Sequence, residues 1–116
     1  MQRLIDAFRN SMRALSRLAR SEKAVQQELV LLGLAVPVAW WLAGSWPAYL
    51  MLVGSMLFLI LVEVLNTAIE SACNAITRDF NRDIQLAKDC GSLAVLIAIV
   101  VTGTVWLTVL WQRFAA

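Results

Sequence analysis

Glu63, Asn66, Glu70 and Asn74 recur at i, i+3, i+7 and i+11 at the end of a long apolar run. On an ideal α-helix these four fall in a stripe about 80° wide, so one face would carry two carboxylates and two carboxamides. Glu70 would stand about 10 Å from Glu63 along the axis, giving a ladder of oxygen ligands whose shallower end suits a hard cation. A charged side chain near the middle of a bilayer costs at least about 2.5 to 3.5 kcal/mol, so such residues face protein and mark a site. Glu63, set between Phe58 to Val62 and Val64 to Leu65, is the one hardest to read as a surface charge.

Lys88 and Asp89 open a second apolar run, with Ser92 one turn deeper. They would add a cation and another carboxylate at the depth of Glu70, which is what a magnesium-nucleotide site requires. The plainer reading of Glu70 and Lys88 is an interfacial ion pair capping two helices. Soluble nucleotide motifs are absent: there is no GxxxxGK[ST] and no GxGxxG, and the five glycines are dispersed. The two cysteines, Cys73 and Cys90, have no histidine to join in a metal site and read as packing residues.

The elements that must position these groups are membrane helices. Of the 116 residues, 60% are hydrophobic and the mean hydropathy is +0.72, far above a soluble domain. Three runs, at about 29–46, 48–70 and 91–111, approach the ~20 residues that span a bilayer. The fold class is therefore an all-α membrane protein of one domain. A three-helix bundle is thin for enclosing a site alone, so an oligomer is expected. Helix two should continue to about Ile76, with a connection over about 77–83 and helix three starting between Ile84 and Lys88.

Residues 1–28 show no uninterrupted apolar core or small-residue cleavage site and so do not read as a signal peptide. Leu4, Phe8, Met12, Leu15 and Ala19 share about one quadrant of a helix, and Arg9, Arg13, Arg17 and Arg20 lie opposite. That pattern predicts a basic amphipathic helix over residues 1–28, lying on the inner membrane face. Glu22 and Glu28, near the entry to the first span, read by default as solvated interfacial carboxylates.

Nine of the ten Lys and Arg residues precede the first span or lie between spans two and three, and only Arg113 follows the third. The positive-inside rule then puts the N-terminus and the 71–90 region in the cytoplasm and the C-terminus outside. Trp40, Trp41, Trp46, Trp106 and Trp111 all fall at the outer ends of their spans. Pro37 should bend the first span, and Gly44 to Pro47 mark the outer turn.

The run EVLNTAIE, Glu63 to Glu70, followed roughly 17 residues later by Ala87-Lys88-Asp89-Cys90-Gly91-Ser92, resembles the bacterial diacylglycerol kinase family of small integral membrane enzymes. The likeness covers nearly the whole chain, including the Ser21 to Glu28 acidic patch and the Trp-marked hairpin. It implies a homotrimer in the bacterial inner membrane, with composite sites that transfer the γ-phosphoryl of MgATP to a lipid hydroxyl. It further implies Glu63 as general base and Glu22 and Glu70 as holders of Mg2+ or another divalent cation. Arg3, Glu22, Asn66, Glu70, Asp79, Asn81, Lys88 and Asp89 would contact ATP, while Trp41, Glu63 and Ser92 would meet the lipid. No nucleic-acid partner is expected. The family usually has Asp where this chain has Asn74, so reduced activity is expected there. A close alternative is an undecaprenol kinase using the same machinery; from another class, a non-catalytic subunit could use Glu63 as an ion or proton site.

Overall fold

The structure, a computed structural model, describes residues 1–115. It contains four helices: α1 (Gln2–Ser21), α2 (Lys23–Leu42), α3 (Trp46–Ile76) and α4 (Arg82–Phe114). The last three are long and apolar enough to cross a membrane, and the described residues include no strand.

Local sequence explains the boundaries. Glu22 is extended, with φ −104° and ψ 111°, and serves both as the end of α1 and as the start of α2. Its N–H donates to Leu18 O at 2.9 Å and its carbonyl accepts from Gln26 N at 3.0 Å, so the chain turns without losing a backbone partner. Residues 23–28, grouped with the surface helix by their charge, thus belong to the helix of the first span. Hydropathy senses depth; nothing between Lys23 and Leu42 breaks the hydrogen-bond ladder, and α2 continues through Pro37.

At the hairpin, the Ser45 hydroxyl accepts from Ala48 N at 3.3 Å and Pro47 occupies the first turn of α3, where its missing N–H costs nothing. At the opposite end, the Asn81 carboxamide oxygen accepts from Asp83 N at 3.0 Å and Ile84 N at 3.2 Å, starting α4.

Packing is uneven along the bundle. Ala39, Leu42, Leu52 and Val109 form the buried cluster near the hairpin, with Leu52 and Ala39 wholly inaccessible. Tyr49 there meets Trp40 edge-on at 5.4 Å and stacks with Trp46 at 5.5 Å. Helices α3 and α4 are also joined by hydrogen bonds within apolar surroundings. Trp106 Nε1 donates to Leu52 O at 3.2 Å, and the Thr102 hydroxyl lies 3.0 Å from Ser55 O and 2.8 Å from Ala98 O. Much large apolar surface on α2 and α4 faces outward, including Leu31, Leu34, Leu96 and Leu107. A surface of that kind belongs against lipid or another protein.

Candidate functional site

The polar stripe of α3 lies at the end of the bundle away from the hairpin, where α2, α3 and the start of α4 converge. Glu63, Asn66 and Asn74 are half-buried, while Glu70 is exposed. Asn66 Nδ2 donates to Glu70 Oε1 at 3.3 Å, linking two successive members of the stripe. The Thr67 hydroxyl donates to Glu63 O at 3.1 Å and stays within its own helix.

From α4, Lys88 reaches across and donates from Nζ to Asn74 Oδ1 at 3.0 Å. The lysine therefore bonds to a neutral amide rather than forming the ion pair with Glu70 that the spacing also allows. An amide accepts the hydrogen bond without neutralising the ammonium, which keeps its full charge for an anionic ligand. Asp89 and Ser92 are exposed on the same stretch of α4.

The structure adds a residue that sequence reasoning left as a solvated charge. Glu28, half-buried on α2, lies beside Glu63, close enough for the two charges to interact. Its Oε2 is buried without a partner. Two adjacent carboxylates repel unless a shared proton or a cation lies between them. The signal available in sequence was the depth of Glu28, six residues inside α2, once the helix is known to start at Lys23.

Glu22 stands where α1 and α2 meet, on the rim of a cleft of about 560 Å³ lined also by Arg17, Ser21, Thr67 and Ser71. Thr67 and Ser71 lie roughly a quarter turn around α3 from the Glu63–Glu70 stripe. Within one chain, Glu22 and Glu70 thus face α3's surroundings from different sides. No group of three or more Cys, Asp or Glu residues gathers to hold a metal among the described residues. A Mg2+ ion, however, needs only one or two carboxylates, with phosphates and water completing its shell. Glu70, exposed and with its second carboxylate oxygen not engaged by Asn66, can supply one such carboxylate.

The remaining residues named from sequence are more dispersed. Arg3 is exposed in the first turn of α1. Asp79 lies in the α3–α4 connection, its N–H donating to Thr77 Oγ1 at 3.0 Å. Asn81 commits its oxygen to capping α4. Trp41 is not brought to the others: it lies at the hairpin end, with the Arg113 guanidinium over its ring at 5.4 Å and Phe114 at 6.0 Å. Trp46, close to it in the chain, begins the same helix that reaches Glu63 about 25 Å further on.

As an ensemble, a deep carboxylate, a cation held by a neutral amide and an exposed acidic group suit the neutralisation and orientation of phosphates beside an apolar substrate. Comparison with known proteins bears on the same point. Residues 9–110 match the family described as prokaryotic diacylglycerol kinase. The chain is 38% identical to the diacylglycerol kinase of Escherichia coli over 112 residues, covering 97% of this chain and 92% of the relative. It is 29% identical to that of Pseudomonas aeruginosa over 110 residues, covering 95% and 89%, and 28% identical to that of Haemophilus influenzae over 103 residues, covering 89% and 87%.

Proposed function

This chain belongs to the prokaryotic diacylglycerol kinase family, and from that premise we propose how its residues transfer the γ-phosphoryl of ATP to the hydroxyl of diacylglycerol. The product would be phosphatidic acid, and the protein is a membrane enzyme with ATP as co-substrate.

The observation that carries the mechanism is Glu63, a carboxylate held half-buried in an apolar helix beside Glu28 and one turn from Asn66. Glu63 takes the proton of the lipid hydroxyl as its oxygen bonds to the γ-phosphorus. The bond from that phosphorus to the β,γ-bridging oxygen breaks, and ADP leaves with the electron pair. Glu28 buttresses Glu63 from α2. Lys88, anchored on Asn74, places its charge against the phosphates, with Asp89 and Arg3 completing the nucleotide contacts. Asp79 and the free amide nitrogen of Asn81 border the nucleotide, and Ser92 faces the lipid. Glu70, with Glu22, would hold Mg2+, which would neutralise phosphate charge. Asn66 orients Glu70 through its amide hydrogen bond.

The working assembly is a homotrimer in the inner membrane, with the N-terminus and the carboxylate end cytoplasmic. The outward apolar surface of α2 and α4 supports an assembly, as does the placing of Glu22 in a cleft with Thr67 and Ser71, away from the Glu70 stripe, which leaves a metal pair for neighbouring chains to complete. The nine-to-one distribution of Lys and Arg supports the orientation. The apolar row Leu4, Phe8, Met12 and Leu15, exposed on α1, supports a helix lying on the membrane.

Transfer of labelled phosphate from ATP, measured in parallel on diacylglycerol and undecaprenol in mixed micelles, tests the reading. Label in phosphatidic acid that depends on magnesium is expected. Label confined to undecaprenol, or found in neither lipid, would overturn it.

A further inference from the structure

Of the five glycines, four stand free: a Cβ built on Gly33, Gly44, Gly54 or Gly103 would meet nothing within 4 Å. Gly91 differs. It is buried in α4, and a Cβ there would overlap Asn66 Oδ1 and approach Asn66 Cγ to 3.1 Å. The carboxamide of α3 therefore lies directly across the bare backbone of α4.

The hydrogen bonding makes this contact more than packing. Asn66 Oδ1 is buried without a partner, while Nδ2 donates to Glu70 Oε1. No bond to the oxygen holds the amide in place, and the reversed amide would set its carbonyl against a carboxylate. Shape and a single donor fix it: the wall at Gly91 on one side and Glu70 on the other. Helix propensity alone would favour Ala over Gly inside α4, so the local conformation gives no reason for glycine at 91.

We propose that Gly91 is a positioning residue of the kinase site: by presenting no side chain it seats the Asn66 carboxamide, which in turn aims Glu70. A methyl at 91 displaces Asn66, and Glu70 loses its donor. The inference rests on Asn66 and Glu70 belonging to the site proposed above.

Four variants test it: Gly91→Ala, Asn66→Ala, the two combined, and Gly103→Ala as a control elsewhere on α4. The first readout is the side-chain amide ¹H–¹⁵N resonance of Asn66 in micelles, identified as the one lost in Asn66→Ala. The second is lipid-kinase turnover. In Gly91→Ala the resonance should move and turnover should fall by about ten- to a hundredfold, as expected for a small misplacement in a site. In the Asn66→Ala background the same substitution should change the residual turnover less than twofold, and Gly103→Ala should leave the wild-type rate unchanged.

An unmoved resonance would overturn the geometry. A resonance that moves while turnover holds would overturn the functional role and place Asn66 outside the site. An equal loss in both backgrounds would mean helix packing alone and likewise overturns the proposal. Should Gly91→Ala fail to fold, recovery of folding in the double variant supports it and failure of both overturns it. Wild-type protein without kinase activity would sink the catalytic reading instead, with the resonance test still standing.

Discussion

The hairpin end and the carboxylate end of the bundle are built from the same three helices, yet they use their polar groups in opposite ways. Near the hairpin, Thr102 and Trp106 donate to carbonyls of the facing helix, and Ser55 donates to Leu52 O at 2.8 Å. The side-chain bonding there serves the fold. At the other end, Glu28 Oε2 and Asn66 Oδ1 are the two buried side-chain atoms without a partner among the described residues. A buried polar atom left unpaired costs roughly 1 to 3 kcal/mol, so two of them together mark a place where bonding capacity is held for something else. The lesson is that stability and chemistry are segregated along the same three helices.

That separation can be broken by substitutions at either end. The largest stability effect is expected for Leu52→Ala, which removes a wholly buried side chain from the hairpin cluster. It should lower unfolding free energy by about 2 to 5 kcal/mol while leaving kcat near wild type at temperatures where the protein stays folded. Denaturation in detergent alongside an initial-rate assay checks both halves. A collapse of kcat in folded Leu52→Ala would erase the distinction between the two ends.

Next, Lys88→Met keeps an unbranched side chain one atom shorter and removes its charge. Kinase turnover should drop by about a hundredfold, the scale of losing one donor to a developing anion, with Tm falling only modestly because a single half-buried bond to Asn74 is lost. ATP titrations on the folded variant would show it, and near-normal kinetics would remove Lys88 from the site. The smallest effect is expected for Thr102→Val, about 0.6 kcal/mol of stability with no kinetic change. A loss several times larger would mean that the hairpin-end hydrogen bonds contribute more than membrane helix pairs usually do.

How much of this was legible in the sequence follows the same division. Three apolar helices are written in hydropathy, because a spanning segment has little choice of composition. The stripe from Glu63 to Asn74 is likewise readable, since it depends only on the period of one helix. What escapes is contact between elements. Glu28 is distant from Glu63 in the chain and meets it only because α2 packs on α3. Gly91 looks like any other glycine until Asn66 is seen lying across it.

The boundary at Glu22 was hidden for another reason: it depends on backbone hydrogen bonding, to which hydropathy is blind. Resemblance carries residues by position and not by surroundings. It groups Trp41 with Ser92 and Asn81 with Lys88; the contacts that could not be read from position are those of Trp41 with Arg113 and Phe114 and of the Asn81 oxygen with the start of α4.

The most direct test of the central claim is Glu63→Gln, which changes one oxygen to nitrogen and almost nothing in shape. Phosphate transfer to diacylglycerol and thermal unfolding should be measured on the same preparation. Turnover is expected to fall by about 10² to 10⁴, the usual contribution of a general base, with the unfolding midpoint essentially unmoved. Turnover within threefold of wild type in a protein that folds normally would contradict the assignment of the chemistry to Glu63.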